Sequence, residues 1–280
     1  MKVGAYLRLM RFDKPVGTLL LWLPTAWALW ISNQGKPAPN LLFIFLFGTI
    51  IMRAAGCVIN DIADRDIDKY VKRTKLRPLT HGEISLKEAF IILIALLSVA
   101  LLILLQLPYH CFFYALMALG ITILYPFCKR IIQAPQLVLG IAFSMAIPMV
   151  YCASGAVMST QMMILMVLNT IWIISYDTMY AMVDRADDLQ IGVRSTAILF
   201  AHYDRFIIFV LQSFFHMLWL YLAIKANLSS PFYIAWFIGI GVLTYLQYLV
   251  NTRNEMACFQ AFLMNVWYGV VMWVGLIMAY

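Results

Sequence analysis

The chain has 280 residues, of which 64% are hydrophobic and only 12% charged, and its mean hydropathy is +0.87. No soluble domain of this length needs that much apolar surface, so the expected class is an all-α, polytopic membrane protein. The formal charge of +7 would suit nucleic acid, but the basic residues lie in short loops between apolar runs. Anionic headgroups and membrane orientation account for them there, and no nucleic acid is expected as a partner.

The first apolar run, Val16 to Ser32, lacks a small-residue cleavage site and is followed by many others, so it reads as a retained span and not a signal. Runs long enough to cross a bilayer, about 17–25 residues each, fall near 16–32, 41–59, 86–106, 110–127, 135–153, 161–181, 206–224, 231–250 and 257–279. Roughly nine transmembrane helices are expected, in a single domain over residues 1–280. Lysines and arginines crowd the segments before the first span and after the second, fourth, sixth and eighth, whereas the opposite loops hold only Lys36 and Lys225. The positive-inside rule then places the N-terminus and the charged loops in the cytoplasm and the C-terminus outside. A bacterial inner membrane is the natural location, with a processed mitochondrial form as the alternative that would look similar. The acidic residues, from Asp13 to Glu255, fall on the same side. Carboxylates contribute little to topology, so function is the more economical cause.

The second span breaks into Asn60, Asp61, Asp64, Asp66 and Asp68, followed by a basic run. If the helix continues through the break, Asn60, Asp64 and Asp68 share one face. The sixth span ends in Asp177 and then Asp184, Asp187 and Asp188, where Asp184 and Asp188 are again four residues apart. The two clusters occupy equivalent places four spans apart, which suggests a 4+4 pseudo-repeat with an extra final helix. They would then face each other across a central cavity, beneath cytoplasmic cap loops. Short helices are expected in those loops at Asp68 to Lys72 and after a cap at Ser195 or Thr196.

Oxygen ligands at a membrane edge with cations beyond them suit Mg²⁺ ions carrying a diphosphate substrate. Lys72, Lys75, Arg77, Lys129 and Arg130 are placed to add charge-assisted contacts to phosphate oxygens. Should the diphosphate be allylic, an aromatic-lined apolar cavity would stabilise the cation it leaves. Arg53 lies two turns before Asn60, deeper in the membrane, where a guanidinium costs on the order of 2.5–3.5 kcal/mol. It reads either as the receptor for an anionic co-substrate or as an arginine that is paired with a neighbouring acid or snorkels to the surface. Asp66, Asp187, Arg253 and Glu255 read as solvated loop charges, and the four histidines as packing or loop residues. Cys57, Cys111, Cys128, Cys152 and Cys258 have no paired spacing and read as packing residues. Tyr125-Pro126 is expected to end or bend the fourth span.

These residues resemble the UbiA family of intramembrane aromatic prenyltransferases across essentially the whole chain. The resemblance is carried by RAAGCVINDIADRDID (53–68) with the downstream KRTKLRPL, by YDTMYAMVDRADDLQIGVRSTA (176–197), by YPFCKR (125–130) and by the N-terminal RFDKPVGTLLLWLPTAWALW. The second motif is similar to that of the branch that uses 4-hydroxybenzoate. The resemblance implies a cavity opening sideways to membrane lipid and a polyprenyl diphosphate as donor. It implies Mg²⁺ on Asn60, Asp64 and Asp68, with Asp61 alongside, and on Asp184 and Asp188. It further implies diphosphate contacts from Arg77, Lys129 and Arg130, an aromatic acid on Arg53, and ubiquinone biosynthesis as the setting. Asp64, Asp68, Asp184, Asp188 and Arg53 are the expected catalytic group. Asp177 is a candidate proton acceptor on position alone. The rivals are a naphthoate, homogentisate or haem as acceptor or, from a different class, a cation transporter.

Overall fold

The computed structural model describes residues 2–280, and among them every regular element is helical. A short helix α1 (Val3–Leu9) precedes α2 (Val16–Ser32) and α3 (Pro39–Ala63), which leads into a single turn, α4 (Arg65–Asp68). There follow α5 (Leu86–Leu104), α6 (Cys111–Ile131), and the pair α7 (Pro135–Ser144) and α8 (Ala146–Ala153). The last part comprises α9 (Thr160–Ile191), α10 (Thr196–Phe200), α11 (Asp204–Lys225), α12 (Ser230–Val250) and α13 (Glu255–Ala279). Eight stretches are long and apolar enough to span a bilayer, and α2 is a shorter apolar helix of the same kind. The protein is an integral, multi-pass membrane protein with the nine spans expected. The fifth departs in detail: it is two helices meeting at Met145.

Local chemistry sets most of the ends. Ser85 accepts from the Glu88 N–H and Glu88 returns the bond, closing a capping box before α5. Ser159 caps α9, Ser195 caps α10 and Asn254 caps α13. The short helix expected after Ser195 is thus present, but the one expected from Asp68 to Lys72 is not, since helix stops at Asp68 and turns follow. Pro126 lies inside α6, which runs on to Ile131, so of the two expected outcomes, an end or a bend, the helix does not end there. At 32 residues α9 is the longest element. Its length of roughly 48 Å, at 1.5 Å per residue, exceeds a hydrocarbon core of about 30 Å. The last turns of α9, which carry Asp184 and Asp188, therefore emerge at the membrane edge. Gly192 ends the helix in the left-handed region (φ 74°) that glycine adopts without a Cβ clash.

The apolar core lies to one side. Trp27, Trp172, Trp219, Phe215 and Tyr268 are fully buried where α2, α9, α11 and α13 meet. Trp27 packs 5.0 Å from Trp172 and 5.1 Å from Trp219 and donates its indole N–H to the Gly269 carbonyl at 3.1 Å. A second, smaller core joins α1 to α3 and α5 through Ala5, Leu9, Ala54, Ala55, Val58 and Ala89. Between the two cores α5 and α6 each pack on α3 yet hardly touch one another. His216 is buried, stacked on Trp236 and bonded to the Tyr268 hydroxyl at 3.0 Å, a packing role as expected. All five cysteines are free.

Candidate active site

One cavity of about 1440 Å³ occupies the bundle between α2, α3, α5, α6, α7, α9 and the start of α13. Its lining includes Asn60, Asp61, Asp64 and Asp68 from the first acidic motif and Asp177, Asp184 and Asp188 from the second. The two motifs therefore do face a common space. No three acidic side chains converge on one point among the described residues; cations stand between them.

The helix does not continue unbroken through the first motif. It ends at Ala63, and Asp64 takes φ −95° and ψ 4° before α4 begins. The four-residue ladder nevertheless survives, because the Asp64 N–H bonds the Asn60 carbonyl at 2.9 Å and the Asp68 N–H bonds the Asp64 carbonyl at 2.8 Å. Lys129 of α6 donates to Asn60 Oδ1 at 3.2 Å and to Asp64 Oδ2 at 3.0 Å. Arg77 donates to Asp68 at 2.5 Å and to Asp61 at 3.0 Å. Asp61 differs from its neighbours. Arg11, from beyond α1, also grips both of its oxygens at 2.7 and 2.9 Å, and only 1% of Asp61 is exposed. Those bonds make it a holder of Arg77. Arg130 donates to the Ala63 carbonyl at 2.9 Å and stands 3.9 Å from Asp64, behind the motif and outside the cavity lining.

The second wall is tied to the first by the connector after α4. Arg73 donates to Asp184 through Nε at 3.0 Å and Nη2 at 2.5 Å, and its guanidinium lies 4.4 Å over the Tyr180 ring. The Lys72 backbone N–H donates to Asp187 at 2.9 Å, so Asp187 is not a solvated charge; Asp66 is, with 78% of its side chain exposed. The Arg194 N–H bonds the Lys129 carbonyl at 2.9 Å, bringing the second connector onto α6. Gln136 of α7 accepts the Thr196 N–H at 3.0 Å and thereby seats α10. Both connectors cover the cavity mouth.

Burial opposes the charge of Arg73 and Arg77, but Tyr180 and Asp184 hold the first, and Asp61 and Asp68 the second, above the ordinary arginine value. Burial pushes the Asp68 carboxyl up, against the pull of Arg77. Burial, reinforced by Arg11, lowers Lys14, which lines the same mouth.

Deeper in the cavity stands Arg53, with Tyr125, Tyr176, Tyr180, Phe259 and Phe262 among the other lining residues. Arg53 forms no ion pair among the described residues, and its Nε is buried without a hydrogen-bond partner. The paired-arginine alternative is thereby removed. Asp177 lines the cavity seven residues before Asp184 on the same helix.

Three groups escape sequence reasoning. Arg73 is one cation in a basic run with no periodicity to single it out, and Arg11 meets its partner fifty residues away. The third is Asp204, fully buried at the start of α11. Its carboxylate accepts from Arg185, from Arg253 Nε and Nη2 at 3.1 and 2.9 Å, and from the Arg205 N–H at 2.6 Å. Arg253 is accordingly not a solvated loop charge, whereas Glu255 is exposed and borders the cavity. Of these, only Asp204 left a trace in the sequence: an acid directly before an apolar run.

Comparison with known proteins agrees with this geometry. The chain is 58% identical over 270 residues to a 4-hydroxybenzoate octaprenyltransferase of Legionella pneumophila (strain Corby), covering 96% of each chain. It is 47% identical over 275 residues to the protein of that name from Pseudoalteromonas translucida (strain TAC 125), covering 98% of this chain and 94% of the other. Among solved structures, a UbiA homologue from Aeropyrum pernix K1 superimposes with a TM-score of 0.82 at 20% identity, over 93% of this chain and 97% of that one. A UbiA homologue from Archaeoglobus fulgidus bound to GPP and Mg²⁺ gives 0.73 at 19% identity, over 98% and 99%. These two likenesses establish the fold. The model of the UbiA prenyltransferase family matches residues 21–269, and with nine spans around a cavity flanked by two acidic motifs, the chain belongs to that family.

Proposed function

We propose that the protein transfers a polyprenyl group from polyprenyl diphosphate to the ring carbon ortho to the hydroxyl of 4-hydroxybenzoate, releasing diphosphate, as a step of ubiquinone biosynthesis. The observation that carries this reading is one cavity, with aromatic residues in its lining, that is flanked by two acidic motifs: Lys129 and Arg77 bond the first, and Arg73, from the connector that follows it, bonds the second. The names of the relatives support the choice of acceptor.

The donor set fits Mg²⁺. Asn60, Asp64 and Asp68 on one side and Asp184 and Asp188 on the other offer amide and carboxylate oxygens, the hard ligands that ion takes. Three converging acids are not required, because Mg²⁺ is usually held by one or two carboxylates together with substrate phosphates and water. When bound, the ion supplies positive charge to a leaving diphosphate. Arg73, Arg77 and Lys129, already lodged among the carboxylates, give N–H donors to the same phosphate oxygens. The C–O bond of the allylic diphosphate breaks, its electron pair leaves with the diphosphate, and Tyr and Phe faces shelter the allylic cation from water. Arg53 holds the carboxylate of the acceptor by paired N–H···O bonds. The ring carbon ortho to the hydroxyl attacks the cation, and its proton passes to Asp177, which lines the cavity seven residues before Asp184 on α9. Arg130, behind the motif, supports the Asp64 turn.

The basic connectors lie at one end of the spans, so the reading includes a bacterial inner membrane with the N-terminus and both cap loops in the cytoplasm. The test uses purified protein in detergent with labelled prenyl diphosphates and a panel of aromatic acceptors. Transfer to 4-hydroxybenzoate should require Mg²⁺, cease with a chelator and return with added Mg²⁺. D64A and D188A should each lower the rate about 10²–10³-fold, the scale of one lost preorganised charge, while eluting as the parent protein does. Full transfer without divalent ion, or by either variant, rejects the assignment.

A further inference from the structure

Arg53 belongs to α3, but the surface it lies against is α2. A Cβ built on Gly17 would fall 2.9 Å from both Arg53 Cζ and Nε, and nearer still to Nη2. Real Cβ atoms do not stand that close to another heavy atom. Gly17 is the second residue of α2, with an ordinary helical backbone that any L-residue can take. Alanine is the better helix former, so the helix itself gives no reason for glycine here. Both residues line the cavity, and Arg53 has neither an ion pair among the described residues nor a partner for its buried Nε. The guanidinium is therefore held by shape: the bare backbone of α2 leaves the slot it fills.

We infer that Gly17 is a specificity-determining position, whose missing side chain lets the Arg53 guanidinium lie along α2 and present its donors to the carboxylate of the aromatic acceptor. The inference rests on the reading of Arg53 given above. A methyl group at residue 17 meets only the far end of a flexible side chain, which can swing aside without disturbing either helix. The protein should thus fold normally with alanine there. What changes is the location of the guanidinium, and a bidentate contact depends on its plane and position as well as its charge.

The test compares parent, G17A, R53A and the double variant as purified full-length protein with 4-hydroxybenzoate, a prenyl diphosphate and Mg²⁺. In G17A the KM for 4-hydroxybenzoate should rise about 10-fold or more, the loss expected of a displaced bidentate arginine. The KM for the prenyl diphosphate should stay within about twofold, since no diphosphate contact moves. R53A should raise the KM for the acid at least as far, and adding G17A to R53A should cost nothing more, because the two changes remove the same contact. If R53A leaves the acid KM unchanged, the reading of Arg53 fails and this inference goes with it. If R53A raises that KM and G17A does not, the inference alone fails. It fails equally if G17A lowers kcat with both KM values intact, or if its effect persists undiminished in the R53A background. In those cases Gly17 matters only for packing or for some other contact.

Discussion

Arg73 carries more of the site than any residue sequence reasoning singled out. It is held on three sides, by two bonds to Asp184 and by the Tyr180 ring beneath it, and it comes from the connector that follows the opposite motif. An arginine so placed sets the approach of the two walls as well as the charge between them. R73A should lower kcat/KM for the prenyl diphosphate about 10²-fold. R73K should recover only part, because an ammonium cannot reproduce the forked contact with Asp184; full recovery by lysine would show that charge alone matters. The aspartates themselves were legible because a four-residue spacing marks one helical face. Arg73 was not, since a basic run contains nothing that says which of its members meets a residue 111 positions on. Asp61 lies off the four-residue face of Asn60, Asp64 and Asp68, and in the structure Arg11 and Arg77 bond its oxygens.

Among the elements, α9 has the widest reach. It crosses the bundle, packs on α7, α11 and α13, and then projects the second motif beyond the hydrocarbon. Its far end is secured through Arg185, beside Asp184, which shares the buried Asp204 with Arg253. Arg253 stands in the left-handed region (φ 53°), an uncommon conformation for a residue with a side chain. This one carboxylate joins the end of α9, the start of α11 and the turn before α13. D204A leaves two arginines facing a buried gap. Both keep a path to water, so the expected loss is roughly 3 kcal/mol, the lower end for breaking a buried pair. A thermal melt in detergent should fall visibly, and an unchanged melting temperature would show that the three segments are held by packing alone. The sequence located the span boundaries well because twenty apolar residues admit one reading in a membrane. The break at Asp64 and the short helix α1 went unseen, since tertiary contacts decide such local features, whereas the division of the fifth span at Met145 has a local cause in Pro148, which has no N–H to give the Ser144 carbonyl.

At the scale of the whole molecule the cavity lies off-centre, between a tryptophan-rich core and a side where α5 and α6 part. Ala100, Leu101 and Leu104 of α5 and Ala115, Leu119 and Thr122 of α6 line it there, opposite Gly48 of α3. The two helices are largely unburied along their spans, with 11% of each buried, so this side faces lipid. A prenyl tail longer than the cavity would leave by this route. G48F puts a ring into it, since a Cβ at that site already comes 3.8 Å from Ile103. Transfer of an octaprenyl group should fall by about 10-fold or more relative to a geranyl group, by the discrimination a filled apolar pocket gives. Equal losses for both donors would place the tail elsewhere.

By itself the sequence determined the environment, the number of spans and the two carboxylate ladders, because hydrophobic length and helical period are properties of neighbouring residues. Only the tertiary structure decided which cation meets which carboxylate, that Asp204 is buried and not solvated, and that Arg53 rests on the backbone of Gly17. Each of these joins residues far apart in the chain, and which partners meet is set by how the helices cross, which no local pattern of residues encodes.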